Sequence, residues 1–394
     1  MKKQTQAIHL EYERRDAYDS LSVPVYNTLA YEFDNAAVMA EAFTDKIKAP
    51  DYSRVENPTV TNLERRVAAL TDAAHATAFN SGMAAISNTL MALAAQGKNI
   101  VTSKHLFGNT YALLVATLHR FGVKVRLRDL TNIEAVREAI DDDTCCVFLE
   151  ILTNPQLEVA DLKAISEVAH EKNVPLVVDS TVIPFTQFSA KSLGVDIEVV
   201  SSSKYVSGGA TSLGGLVIDY GTPYNGDFAK RLYGEMLFNF GAYMTPQVAY
   251  MQTIGLETLD ARYRVQSSNA LELAKKLRSL PQIKYVNYVG LEDNPYHELA
   301  QRQFGKTAGA MICIDLESKE ACFSFLNNLK LIHRATNLFD NRSLAIHPAS
   351  TIFGAFSESM RKSMDVKDTT IRLSVGLEDV DDLFEDIKQA VNSL

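Results

Sequence analysis

The stretch SSSKYVSGGATSLGG, residues 201–215, is the most informative part of the chain. It follows the apolar run IEVVS (197–201) and leads into GGLVI (214–218), both with the composition of buried strands. Lys204 therefore stands where a strand gives way to a glycine-rich loop. Lysine is rarely buried unpaired, because stripping water from its ammonium is costly. A lysine at a strand end, ringed by small residues, escapes that cost by condensing with an aldehyde cofactor, and the Schiff base so formed is an electrophile. A solvated lysine at a strand end fits this segment equally well, so the flanking sequence has to decide.

Upstream, strands are expected at ATAF (76–79), NIVT (99–102), VKVRLR (123–128), CVFLE (146–150) and PLVVD (175–179). Helices fit 81–97, 109–121, 132–140 and 161–172. This alternation predicts an α/β fold with a mostly parallel sheet. Leu63, Val67 and Leu70 have helical spacing, and Thr61 with Glu64 fits a capping box. Residues 1–56 are polar and turn-rich and read as an N-terminal arm, with the α/β domain over 57–250. After residue 250 the pattern changes to a long helix over 262–280, shorter strands in IKYVNYV, AMICIDL and IRLSV, and an amphipathic helix over 379–392. Residues 251–394 are therefore expected to form a smaller α+β domain.

A chain of 394 residues exceeds the size at which one core stops growing. Its 46% hydrophobic and 22% charged content is ordinary for a soluble globular protein. A net charge of -9 argues against nucleic acid and against anionic membrane surfaces. No apolar run reaches bilayer length, and MKKQTQAIHLEYERRDAYDS at the N-terminus lacks the apolar core of a secretory signal. None of the four cysteines forms a CxxC pair; Cys145 and Cys146 sit in the strand-like CCVFL and face opposite ways. A reduced, cytoplasmic protein with buried thiols is expected. Dinucleotide, P-loop and HExxH motifs are missing, and His75, His105 and His347 show no metal-ligand spacing, so no metal is expected.

Asp179 ends the apolar strand PLVVD, where a carboxylate without a partner would be expensive. A pyridoxal 5′-phosphate (PLP) site needs such a carboxylate against the pyridine nitrogen, to keep the ring protonated and electron-accepting. A loop cap at a strand terminus is the plain alternative. Asp179 and Lys204 both stand at C-terminal strand ends, where open α/β sheets place ligands. Ser81, Gly82 and Met83 form a strand-to-helix turn whose free N–H groups suit a phosphate, although an ordinary N-cap reads the same way. Arg372, in TIRLSVG, suits the carboxylate of an amino-acid substrate, or else a structural salt bridge.

Together these residues resemble the cysteine/methionine-metabolism family of fold-type I PLP enzymes. That family includes cystathionine γ-synthase, cystathionine lyases, methionine γ-lyase and the acylhomoserine sulfhydrylases. The resemblance runs through YSRVENPT (52–59), NSGMAAI (80–86), TNPQLEVAD (153–161), VVDST (177–181), SSSKYVSGG (201–209), GLETLDAR (255–262), SLAIHPAST (343–351) and IRLSVGLED (371–379). It implies that Lys204 carries the cofactor and shuttles protons, and that Asp179 pairs with the pyridine nitrogen. It implies that Ser81, Gly82, Met83, Ser201 and Ser203 hold the phosphate, with Tyr52 and Arg54 of a neighbouring subunit. Asn154 would lie near the phenolic oxygen, and Arg372 with Ser343 would bind the substrate α-carboxylate. A homo-oligomer with shared sites follows, at least a dimer and by the family's habit a tetramer.

The chain departs from the family pattern in places. Phe107 stands where tyrosine usually stacks on the ring, Ser203 where threonine is common, Asn109 where methionine γ-lyases have cysteine, and Phe339 where glycine is usual. Phe107 bears on the reaction. A carboxylate leaves easily, since carboxylic acids have pKa near roughly 4, whereas thiols lie near roughly 8.5. Losing the tyrosine hydroxyl removes one candidate acid. The expected reaction is γ-replacement on O-acetylhomoserine or O-succinylhomoserine by sulfide or a thiol. The alternatives are a γ- or β-lyase on methionine, cystathionine or cysteine, a cystathionine γ-synthase, and a non-catalytic PLP-fold binding protein.

Overall fold

Seven short strands build one sheet: β1 (His75–Phe79), β2 (Asn99–Ser103), β3 (Lys124–Arg128), β4 (Thr144–Glu150), β5 (Leu176–Asp179), β6 (Ile197–Val200) and β7 (Gly215–Asp219). Their order in this computed structural model, which describes residues 1–10, 16–44 and 46–394, is β1-β7-β6-β5-β4-β2-β3. Residues 11–15 and 45 of the expected arm lie outside the described residues. β3, β2, β4, β5 and β6 run parallel. β7 runs antiparallel to both β6 and β1. The reason is the Lys204 loop, which joins β6 to β7 in place of a crossover helix and so reverses the chain.

Alternation along the strands sorts the core into two layers. Cys146, Phe148, Val177, Val199 and Val217 face one side, where Ala85, Ile86 and Leu90 of the helix Gly82–Leu93 pack. Val147, Leu149, Leu176, Val178 and Leu216 face the other, against Leu162, Ile165 and Ala169 of the helix Leu162–His170. With both faces covered, the inner strands β4, β5, β6 and β7 are mostly apolar. Cys146, Cys313 and Cys322 are buried, Cys145 is half-buried, and all four are free thiols.

The second sheet comprises β8 (Tyr285–Asn287), β9 (Met311–Asp315), β10 (His333–Arg334), β11 (Leu344–Ile346) and β12 (Thr370–Ser374), in the order β10-β11-β12-β9-β8. Its strands pair antiparallel except β10 with β11. The helices Leu259–Leu277 and Val380–Val391 bury Leu273, Leu277, Leu383 and Ile387 in a core continuous with one layer of the large sheet. Among the described residues, no helix is long and apolar enough to cross a membrane.

Several boundaries move from the sequence expectation. The helix containing Leu63 begins at Pro58, capped by Asn57, whose side chain accepts from Thr59 N–H. An Asn-Pro pair is a stronger start than the expected Thr61–Glu64 box. Glu64 instead accepts from Ala78 N–H at 2.7 Å on the edge strand β1. The helix expected over 109–121 is regular only over Gly108–Ala112, then widens into a π-helical turn and tightens into a 3-10 turn. Residue 250, the expected division between domains, falls inside the helix Pro246–Glu257.

Candidate active site

The parallel strands end side by side, and their last residues carry the chemistry. β4 ends on Glu150 and β5 on Asp179, partners in register across the two strands. Asp179 accepts from Thr181 N–H at 2.9 Å and has no cationic partner among the described residues. Burial raises its pKa. Glu150 is 7% exposed; burial and then the neighbouring Asp179 push it well above the usual carboxylate range. Its Oε1 accepts from the backbone N–H of Phe107 at 2.5 Å.

The loop after β6 brings in Lys204. Its Nζ donates to Asn337 Oδ1 at 2.7 Å. Burial, then the nearby Arg372 cation, lowers the amine to about 8. Ser201 N–H donates to Thr181 Oγ1 at 2.8 Å, and Ser203 Oγ is held by the backbone of Gly214. Opposite them the helix Gly82–Leu93 begins, capped by Ser81, whose Oγ accepts from Ala84 N–H at 3.1 Å. Gly82 is needed here: a Cβ on it would lie 2.6 Å from Ser201 Cβ. The helix start and the end of β6 thus close on each other as a backbone cradle.

Arg372, on β12, is 2% exposed and makes no ion pair among the described residues. It donates to Asn154 Oδ1 at 3.1 Å and weakly to the carbonyls of Thr336 and Asn337 at 3.4 Å, while Nε finds no partner. Burial brings the guanidinium down to about 10. A buried cation left this incomplete is matched to an anion from outside the chain.

Ser81, Gly82, Met83, Phe107, Asn154, Asp179, Ser201, Ser203, Lys204 and Arg372 all border one cavity of about 520 Å³. Three expected residues lie elsewhere. Tyr52 and Arg54 border a separate groove of about 1180 Å³ in this chain. Arg54 there donates to Phe238 O at 2.5 Å and lies over the Tyr52 ring. Ser343 does not border the cavity: its Oγ donates to Glu378 at 2.9 Å and accepts from Gly376 N–H at 2.9 Å, so it braces the turn after β12. Sequence reasoning missed Glu150, although CVFLE offers the same signal as PLVVD. It also missed Asn337, whose contact with Lys204 spans two loops distant in sequence.

Phe339 does not enter the cavity. It holds φ +57, a conformation that favours glycine, and is fully buried. Its ring stacks on Tyr205, the residue after Lys204, at 4.0 Å and 9°. Burying a phenylalanine contributes roughly 1.5–3 kcal/mol, enough to offset a left-handed backbone costing about 1–2 kcal/mol.

The residues present fit PLP. A half-buried carboxylate without a cationic partner suits the pyridinium, a depressed amine suits the aldehyde, and the Gly82–Ser201 cradle suits the phosphate. The comparisons with known proteins agree. The profile of the family described as Cys/Met metabolism PLP-dependent enzyme matches residues 4–392. The L-methionine gamma-lyase of Fusobacterium nucleatum subsp. polymorphum is 37% identical, covering 99% of this chain and 98% of its own length. The O-acetyl-L-homoserine sulfhydrylase of Corynebacterium glutamicum is 32% identical over 98% and 95% of the two chains. A solved Campylobacter jejuni structure, provisionally assigned as an O-acetylhomoserine (thiol)-lyase and carrying a pyridoxyl-lysine phosphate, has a TM-score of 0.95 at 34% identity, covering 100% of both chains. Cradle, carboxylate, lysine and whole-chain likeness converge: this chain belongs to the Cys/Met metabolism PLP-dependent enzymes of fold type I.

Proposed function

We propose that this enzyme catalyses γ-replacement on an O-acylhomoserine, with sulfide or a thiol as the incoming nucleophile, releasing a carboxylate and forming homocysteine or a thioether such as methionine. The observation that carries the reading is Phe107 at the cavity wall, where a hydroxyl would otherwise stand. The likeness to the Corynebacterium sulfhydrylase supports it. A γ- or β-lyase on methionine, cystathionine or cysteine is the second reading, favoured by the likeness to the Fusobacterium lyase.

When bound, PLP supplies the electron sink that stabilises negative charge on the substrate. Arg372 binds the α-carboxylate through the N–H groups its protein partners leave free, with Asn154 fixing the guanidinium. Asp179 holds the pyridine nitrogen protonated. The Lys204 amine, at about 8, is basic enough to take the Cα proton and acidic enough to return it nearby. Ser81, Gly82, Met83, Ser201 and Ser203 hold the phosphate from the cradle. Phe107 keeps the ring plane without offering an acid to the leaving group.

The active unit is a homo-oligomer, a tetramer built of dimers that share sites, with Tyr52 and Arg54 reaching a neighbour's phosphate. Residues 1–56 act as the arm, 57–250 as the cofactor domain and 251–394 as the smaller domain, with the helix Pro246–Glu257 bridging the last two, in a cytoplasmic enzyme. Mixing inactive Arg54→Ala and Lys204→Ala chains should restore activity after subunit exchange; a fully active monomer would contradict sharing. The reaction itself is tested by product analysis from O-acetylhomoserine plus sulfide, beside methionine and cystathionine. Faster consumption of either thioether would replace γ-replacement by the lyase reading.

A further inference from the structure

The loop over residues 336–341, ahead of β11, touches both Lys204 and Arg372. Asn337 Oδ1 accepts from Lys204 Nζ at 2.7 Å, and the carbonyls of Thr336 and Asn337 accept from Arg372 Nη2 at 3.4 Å. Thr336 and Leu338 border the cavity, while Phe339 turns away from it into the core. The backbone N–H of Phe339 donates to Ser374 Oγ at 2.7 Å, two residues beyond Arg372 on β12. Its ring stacks on Tyr205, the residue after Lys204, at 4.0 Å and 9°. One residue is thus tied to the chain beside each of the two cations.

Tyr205 is held on its other sides as well. Tyr263 packs edge-on against its ring at 5.2 Å and 83°, and Arg262 Nη2 donates to its carbonyl at 2.8 Å. Tyr205 and Phe339 are both buried, and a close-packed interior leaves neither ring room to shift without the other. The Lys204 side chain hangs from the next Cα, so the seat of the Tyr205 ring sets where the amine's tether begins. The Phe339 backbone sharpens the point. At φ +57 a glycine would stand without steric cost, whereas a phenylalanine is disfavoured. A glycine would also leave the face of Tyr205 uncovered. What the side chain adds is the stack, and its partner adjoins the cofactor lysine.

We propose that Phe339 is a positioning residue for Lys204. Stacked on Tyr205 and hydrogen-bonded to Ser374, it fixes the separation between the lysine amine and Arg372. It thereby sets the approach of Lys204 to the Cα proton of a substrate whose carboxylate Arg372 holds. The inference rests on the proposed roles of Lys204 and Arg372. It holds for replacement and elimination alike, since both begin with removal of that proton.

The test has two readouts on the full-length chain. The first is the pH dependence of pyridoxal phosphate capture by the apoenzyme. Phe339→Leu keeps apolar bulk without a flat stack, and Phe339→Gly relieves the left-handed backbone but removes the ring. In either variant Lys204 gains water, and the inflection should rise by about half a pH unit or more. Losing the acceptor in Asn337→Ala acts in the opposite direction. A fall in the Phe339 variants would therefore show that the ring acts through the lysine's hydrogen bond rather than through Tyr205, and would overturn the proposal. The second readout is exchange of the α-hydrogen of L-norleucine for solvent deuterium by the PLP-loaded enzyme. Norleucine has no γ-leaving group, so exchange reports proton transfer alone. Exchange should slow by about tenfold or more, since a misplacement of about 1 Å can cost about 10²-fold, while norleucine affinity, read from cofactor absorbance, changes by less than about threefold. Tyr205→Leu should reproduce both changes, and Phe339→Leu combined with Tyr205→Leu should be no slower than the slower single variant. Should Phe339→Gly fail to fold, the two leucine variants still decide. Wild-type exchange in a folded Phe339 variant, or additive losses in the double variant, would refute the inference alone. No exchange by the wild-type chain would overturn the proposed role of Lys204, and the inference with it.

Discussion

Lys204 donates from Nζ to Asn337 Oδ1 across 2.7 Å, tying the loop after β6 to the loop before β11. The bond favours the charged amine, while burial and Arg372 oppose it and bring the group to about 8. In the apoenzyme the free amine is thus about one-tenth populated at pH 7. Capture of pyridoxal phosphate should accelerate about tenfold per pH unit up to that value and then level off. Asn337→Ala removes an acceptor from the ammonium and should move the inflection to lower pH. Borohydride should fix the label on the peptide containing Lys204. An inflection near that of free lysine, or label on a different lysine, would disprove the assignment.

Glu150 and Asp179 sit in register at adjacent strand ends, yet they should respond differently to amide substitution. Glu150 is raised well above its ordinary value by burial and by Asp179. A carboxyl raised in the folded state costs stability above its unfolded pKa, increasingly until the folded pKa is reached. Glu150→Gln imitates the protonated form and can still accept from Phe107 N–H. Its melting temperature should match wild type below pH 4 and exceed it by about 2 °C or more at pH 8, with activity nearly unchanged. Asp179→Ala should slow Cα–H exchange by about two orders of magnitude or more. Comparable exchange rates for the two variants would undo the distinction.

His105 is bracketed by Glu158 at 3.1 Å on Nδ1 and Asp365 at 2.8 Å on Nε2. Burial alone would lower its pKa, but the two carboxylates outweigh burial and raise it. A histidine raised in the folded state stabilises fully below its unfolded pKa near 6.5, and that contribution fades as pH climbs through the folded value. Solvent around the exposed Asp365 side chain screens and so discounts the effect. His105→Gln should therefore lose stability at pH 6 and approach wild type at pH 9, in denaturant titrations. A deficit that grew with pH would mean the imidazole acts while neutral.

What the sequence made legible follows from where the physical signal lies. Lys204 and Asp179 stood out because a charged residue terminating an apolar strand is expensive, and the sheet brings both to one cavity. Glu150 carries that signal too and was passed over, since a second acid has no obvious task beside one pyridinium. Asn337 gave none, because its meaning depends on a contact across 133 residues. Ser343 was read from the resemblance alone, and Glu378, which claims its hydroxyl, is 35 residues away. Local rules also compete: Thr61 and Glu64 have capping-box spacing, but Asn57 with Pro58 starts the helix first. The reversal of β7 was a question of topology, decided by the absence of a crossover helix after Lys204.

Phe107 gives the sharpest test of the chemistry. Its backbone N–H is fixed by Glu150 at 2.5 Å and its side chain borders the cavity, so Phe107→Tyr adds a hydroxyl at a position already held in place. The ring plane should not move, and removal of the Cα proton by Lys204 should change little. The difference should come when the γ-substituent departs. Acetate leaves unaided, because carboxylic acids have pKa near roughly 4. A thiolate from methionine or cystathionine is a poorer leaving group, with thiols near roughly 8.5, and gains from a proton that phenylalanine cannot give. Phe107→Tyr should therefore raise kcat/KM on thioether substrates by about tenfold or more relative to O-acetylhomoserine with sulfide, against roughly 10²–10⁴-fold for a fully positioned general acid. The ratio of the two constants is the proper measure, since it reports differential transition-state stabilisation rather than expression or cofactor loading. An unchanged ratio would show that Lys204 or a water already supplies the proton, and the leaving-group argument for γ-replacement would lose its structural basis.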